Sequence, residues 1–256
     1  MAFFTECILF QFRTGFMRAG VDFPRFRRTL AAMDMEIVIP EELPLMTLPR
    51  IAFFPQAMLP LHIFEPRYRE MLRDVLASNR LFAVAGLDSG KPGAFEPPHR
   101  IATLGIIRAC QESKDGTANL LLQGLSRVEI HEIVRNEPYR SVRIRALDSD
   151  PGAEIEENLK LRARLSRLIA TRLRLSGEPT NQLTRFEKTV EDPATFVDLA
   201  AFNFCENVRL KQKLLETLSV HRRLEMLSEE IRGNIDLIKL RQKLQGDLAD
   251  DGITNN

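Results

Sequence analysis

The sequence predicts an α+β protein: a small mixed β-barrel or half-barrel followed by a C-terminal helical bundle. From Ile37 to about Leu147, short apolar runs alternate with proline, glycine and Asp-Gly punctuation, the rhythm of strands and tight turns. From Ile155 onward, apolar residues recur at spacings of three, four and seven, the period of buried helix faces. Between them, DSDPG at 148–152 supplies the turn where one pattern gives way to the other.

Taken in order, EIVIP and LPLMTLP read as short strands ending at prolines, and AMLPLHIF as a strand with Pro60 at a bulge or edge. PRYREMLRDVLAS, from Pro66 to Ser78, places apolar residues at 68, 71, 72, 75 and 76 behind a proline suited to a first helical turn. LFAVAGL is a buried strand, and SGKPGAFEPPH a loop. RIATLGIIRAC and ANLLLQGL flank QESKDGT, whose Asp115-Gly116 pair marks a hairpin turn. RVEIHEIV and YRSVRIRAL alternate as strands with one wet face.

In the helical half, Ile155, Leu159, Leu165, Leu168, Ile169 and Leu173 fall on one face, with acids at its start and arginines at its end. GEPTNQ breaks that helix, and Asp192-Pro193 opens the next as N-cap and first helical residue. Ser219 caps a long last helix carrying Val220, Leu224, Leu227, Ile231 and Ile238. The resulting boundaries are a β domain over 35–150, a helical bundle over 151–246 and a frayed tail over 247–256. Residues 1–34, rich in phenylalanine and arginine without a period, read as a disordered tail or a non-native upstream extension.

The 256 residues are 44% hydrophobic and 28% charged, an ordinary soluble composition. A net charge of +1 offers no global pull on nucleic acid or anionic lipid. No run approaches the roughly 18 to 20 apolar residues of a membrane span. Cys7, Cys110 and Cys205 form no C-x-x-C pair and sit among apolar neighbours, which fits reduced thiols in the cytoplasm.

Motifs for catalysis fail on inspection. His131-Glu132 begins like H-E-x-x-H, but the fifth position is Arg135 and the segment alternates as a strand. Gly124-Leu125-Ser126-Arg127-Val128 lacks the second glycine of a nucleophile elbow, leaving Ser126 as a turn or surface serine. Gly90-Lys91 lacks the glycine spacing and the hydroxyl residue of a phosphate loop. Basic residues in RLSRLIATRLRL lie on the wet side of an amphipathic helix. No metal, cofactor or catalytic residue is assigned, and the residues alone describe a binding module.

Three segments in order carry a resemblance: IPEELPLMTLPRIAFFPQAMLPLHIFEPRYREML, TLGIIRACQESKDGTANLLLQGLSRVEI and DPATFVDLAAFNFCENVRLKQKLLETLSVHRRLEML. Together, over about residues 37–232, they resemble the N-terminal, substrate-binding domain of Lon proteases, and the IFEPRYREM variant resembles its small stand-alone members. The resemblance implies a PUA-like β fold before the helical bundle. It also implies recognition of unfolded or exposed polypeptide segments without catalysis, in a chaperone-like role. Neither a phosphate-binding loop nor a Ser-Lys protease module is expected in this chain, so an ATPase or protease acting in trans is left open. An RNA-binding role of the PUA-like fold is the alternative, opposed by neutral charge and few stacking groups. The residues assigned to substrate contact are Phe53, Phe54, Pro55, His62, Phe64 and Arg67, with core packing the competing reading for Phe53 and Phe54. LPLHIFEPRYREM itself reads as a strand-to-helix joint whose polar groups do not converge.

Overall fold

Six strands and five helices make up the described part of the chain. In the computed structural model these residues are 39–88, 97–179 and 190–249. The expectations for residues 1–34, for most of SGKPGAFEPPH, for the end of GEPTNQ and for residues beyond 249 lie outside them. The elements are β1 (Glu42–Leu48), β2 (Met58–Ile63), α1 (Pro66–Leu76), β3 (Leu81–Gly86), β4 (Ile101–Glu112), β5 (Ala118–Arg135) and β6 (Ser141–Leu147). Then follow α2 (Ile155–Leu175), α3 (Pro193–Phe204), α4 (Val208–Glu216) and α5 (Val220–Ala249).

The sheet order is β2-β5-β4-β3-β1-β6, and a further β5–β6 pairing closes five strands into a ring. Only β1 and β3 run parallel; every other pair is antiparallel. The ring is not a regular barrel. β5 is long enough to pair with β2 and β4 over its first half and with β4 and β6 over its second. ANLLLQGL and RVEIHEIV are therefore one bent strand.

What bends it is a register shift between Leu104 and Gly105 of β4, where Leu125 on β5 is the extra residue. An extra residue reverses which side chains face which way. Accordingly Ala118, Leu120 and Leu122 join the core shared with the helices, whereas Val128 and Ile130 point into the ring. The ring interior is drawn from all five of its strands: Leu43 and Leu45, Leu81, Ala83 and Ala85, Ala102 and Leu104, Val128 and Ile130, Val142 and Ile144. Small residues on β3 and β4 fit so narrow a space.

The second core is continuous from strands to helices. Leu59, Leu61 and Ile63 of β2 and Tyr68, Met71, Leu72 and Val75 of α1 belong to it, together with Leu165 and Ile169 of α2, Phe196 of α3, Leu214 of α4 and Leu224 of α5. Strands and helices are thus joined by one buried apolar mass rather than by a thin linker. α1 starts at Pro66 as its sequence predicts, and Tyr68 bonds through its hydroxyl to Thr47 of β1.

Other local rules hold in the helical half. The Asp192 carboxylate caps α3 by accepting from Thr195 N at 2.8 Å, and Ser219 Oγ accepts from Arg222 N at 3.2 Å as α5 begins. α2 ends at Ser176 with Gly177 at φ 70°, the left-handed stop that glycine allows. One part of the periodicity misleads: Ile155 and Leu159 are exposed. In that first turn the buried side chain is Asn158, which donates to Pro151 O at 3.0 Å and meets His221 Nδ1 at 3.1 Å.

A close backbone approach fixes the bend of β5. Gly124 donates to Ala57 O, and its own carbonyl accepts from Gln56 N, both at 2.9 Å. A Cβ on Gly124 would stand 2.2 Å from Phe54 O. Gly124→Ala is therefore expected to cost about 1–3 kcal/mol through forced backbone displacement. The check is a chemical denaturation series, in which the midpoint falls while the denaturant slope is unchanged.

Candidate functional site

β2 ends the sheet, and among the described residues its second edge has no partner strand. Because Gly124 N bonds to Ala57 O, antiparallel alternation turns the backbone groups of Leu59, Leu61 and Ile63 toward β5. Those of Met58, Pro60 and His62 turn to the open edge. Pro60 thus sits where the missing N–H costs no ladder bond, as an edge proline should. Side chains alternate too: Leu59, Leu61 and Ile63 are buried, while Met58, Pro60 and His62 are exposed.

Phe64 extends this exposed row beyond the strand. Met58 is 38% and Phe64 40% exposed, high values for large apolar side chains. The His62 and Phe64 rings stack with centroids 6.0 Å apart and planes 22° apart. His62 Nδ1 is held at 2.8 Å by Asn119 Oδ1 on β5, which fixes the ring on the face. Arg67 follows at the start of α1. Its Nε donates to Glu65 at 2.9 Å, and its guanidinium lies 4.6 Å from the Tyr68 ring centroid.

The structure separates the six residues that the sequence assigns to substrate contact. His62, Phe64 and Arg67 lie together at the surface around the β2–α1 joint. Phe53 and Phe54, at 1% and 0% exposure, are core side chains, as the competing reading of the sequence has them. Phe53 meets the edge of Phe202 on α3 at 6.3 Å, and its carbonyl accepts from Thr103 Oγ1. The Phe54 ring lies 6.0 Å from the Arg127 guanidinium. Phe53 thus packs toward α3, and Phe54 toward β5. Pro55 is half-buried and lines a cavity beside α3.

That cavity rests on a buried ionic cluster the motifs do not announce. Arg127 of β5 grips Asp198 of α3 in a two-pronged pair at 2.7 and 2.6 Å, and its Nε donates to Leu215 O of α4 at 3.0 Å. Arg223 of α5 approaches the same carboxylate at 3.5 Å and donates to Thr217 O and Ser149 Oγ. Burial pulls Arg223 down to about 10, against the opposing pull of Asp198, so it remains charged at neutral pH. The available signal was a charge on an apolar face: Asp198 interrupts ATFVDLAAF, and Arg223 lies between Val220 and Leu227 on the buried side of α5. Ser126, read as a turn or surface serine, is instead in β5 with its hydroxyl buried.

None of this assembles a nucleophile with a base. Among the described residues no group of three or more His, Cys, Asp or Glu is placed to hold a metal ion. No described helix is long and apolar enough to cross a membrane. Cys205, at the end of α3, is buried with its Sγ 3.6 Å from Asn207 O. Burial raises this thiol from 9.0 to about 11, outweighing the lowering by that contact and by Lys211. The folded state thus holds the thiol proton to higher pH than the unfolded chain does. The corresponding stabilisation is full below pH 9 and is lost as pH rises from 9 to about 11. Wild type is expected to lose stability over that window more steeply than Cys205→Ala, as read by denaturation midpoints; equal slopes would contradict the assignment.

Comparison with known proteins agrees with this architecture. The Lon protease of Desulfosudis oleivorans is 26% identical over 219 residues, and that of Syntrophus aciditrophicus 28% over 219. Each alignment covers 83% of this chain, which spans only 26% and 28% of those proteins' lengths. A Lon N-terminal domain protein from Xanthomonas campestris superposes with TM-score 0.54 at 24% identity, covering 73% of this chain and 96% of that one. The N-terminal domain of Mycobacterium avium complex Lon protease gives TM-score 0.58 at 16% identity, covering 75% and 98%. The family model described as the ATP-dependent protease La (LON) substrate-binding domain matches residues 42–233, and the chain belongs to that family.

Proposed function

We propose that this chain is a non-catalytic polypeptide-binding module whose contact surface is the outer face of β2 and the β2–α1 joint. The observation that carries the reading is the row Met58, Pro60, His62, Phe64, which keeps apolar and aromatic surface in water on a strand with an open edge. An exposed row of this kind matches an extended, unfolded segment better than a folded partner. Alternate client side chains would meet Met58 and Phe64, while the edge carbonyls accept from its backbone and the N–H groups of Met58 and His62 donate to it. Pro60 interrupts that edge and keeps it from templating an indefinite sheet. Arg67, beside the row, adds a cation whose carbon stem covers apolar client surface.

Within this reading, the client is an exposed or unfolded stretch of another protein, and any ATP-driven or proteolytic step belongs to other modules. The family description, a substrate-binding domain, supports the binding role.

Binding of an extended apolar peptide, followed by fluorescence anisotropy, tests it. Replacing Met58 and Phe64 together by serine is expected to weaken binding about tenfold or more through lost apolar contact. The thermal midpoint should stay near wild type, because both side chains are already exposed. Unchanged affinity in the double variant would remove this face from the account.

A further inference from the structure

Where β5 and the end of β6 meet α3, a cavity of about 200 Å³ opens beside the ionic cluster. Arg127 and Asp198 form its buried floor, Ser126 and Thr195 line its wall, and the exposed Asp148 lines its rim. The cluster is short of acceptors. A guanidinium carries five N–H groups. Arg127 uses three, on Leu215 O and the two Asp198 oxygens. Arg223, fully buried, uses two, on Thr217 O and Ser149 Oγ, and its Nε, 3.5 Å from Asp198, has no hydrogen-bond acceptor among the described residues. Among the described residues, Arg127 in the cavity floor therefore has acceptors for three of its five N–H groups, and the Asp198 carboxylate faces both cations. The buried Ser126 hydroxyl in the cavity wall has no hydrogen-bond partner among the described residues either.

Buried donors and buried charge are costly unless met. A ligand suited to this site is small, accepts without donating, and carries one negative charge. A carboxylate has those properties, and charge-assisted bonds to arginine are the strong ones. Asp148 at the rim opposes a more highly charged anion. Asp192 is occupied with Thr195 N and Oγ1 as the cap of α3. We propose that this cavity is a carboxylate-binding pocket whose occupant is the α-carboxylate of a polypeptide chain end. The carboxylate part stands on the cavity alone; the chain-end part rests on the polypeptide-binding role proposed above.

Continuity with the β2 face supports a chain end. Gln56 lines the cavity, bonds to Gln123 of β5, and lies two residues before Met58, where the exposed row begins. A client running antiparallel to β2 would bring its C-terminus to the cavity. At about 30 Å³ per water, the space equals roughly seven waters, room for a carboxylate and the residue that bears it.

Two titrations on the intact chain test the pocket. In the first, sodium acetate is added at constant ionic strength against a chloride control, followed by NMR at the Ser126 amide and the Arg127 Nε–H. Saturable shifts with acetate alone are expected, and shifts no larger than those with chloride would overturn the pocket. In the second, one apolar peptide is compared with a free and with an amidated C-terminus. The free acid is expected to bind about tenfold more tightly, the size of one charge-assisted contact. Ser126→Ala should shrink that ratio, and Asp148→Asn should enlarge it. Equal affinities for the two peptides, both weakened by the Met58 and Phe64 substitutions, would overturn the chain-end assignment and leave the β2 face standing. If neither peptide binds, the chain-end assignment falls with the polypeptide-binding role, and the acetate titration still decides the pocket.

Discussion

The ionic contact between Arg127 and Asp198 is the point through which strands and helices are held in one arrangement. Arg127 sits just past the bend of β5, and its guanidinium reaches α3 through Asp198 and α4 through Leu215 O, while Arg223 of α5 comes to the same carboxylate. Such a buried pair adds little net stability compared with a well-packed apolar substitute, but removing one partner leaves a charge stranded, at a cost of about 3–5 kcal/mol. Its contribution is registry. Two-pronged geometry admits one orientation of α3 against the ring, where apolar packing by Phe53 and Phe202 alone would tolerate several.

Registry at this joint decides what the surface offers. The extra residue at Leu125 reverses the faces of β5, so that its second half fills the ring while its first half carries β2 outside it. With the ring closed through β5 and β6, β2 is left with an open edge and an outer row in water. The same bend places Ser126 and Arg127 in the wall and floor of the cavity beside α3. Face and cavity are two products of one strand irregularity.

Local features of the fold were legible because they depend on neighbours in sequence. Pro66 and Asp192-Pro193 mark helix starts, Asp115-Gly116 marks the β4–β5 turn, and the Leu59, Leu61, Ile63 alternation marks a half-buried strand. The α+β class followed from those patterns, and the family from the resemblance carried by three longer segments in order. Long-range choices were not legible. Whether Phe53 lies in the core or at the surface depends on α3, some 150 residues away along the chain, and Phe54 depends on β5. Ile155 and Leu159 obey the helical period, but that first turn meets its neighbours through Asn158 instead, so periodicity alone does not bury them. The pairing of Arg127 with Asp198 spans 71 positions and leaves only a misplaced charge as its trace. The strand face shared by Pro60, His62 and Phe64 and the joint to α1 were visible in LPLHIFEPRYREM; Met58 as part of that face and the cavity were not.

One cooperative body, rather than a β domain and a bundle in loose contact, is the central claim. Native-state hydrogen exchange measures it directly. The slowest amides of β5, such as Leu122, and of α5, such as Leu227, lie in the same buried core and should open with the same free energy, equal to that of global unfolding. Protection of the α5 amides that fails well before that of the β5 amides would show the bundle opening by itself and would contradict the claim.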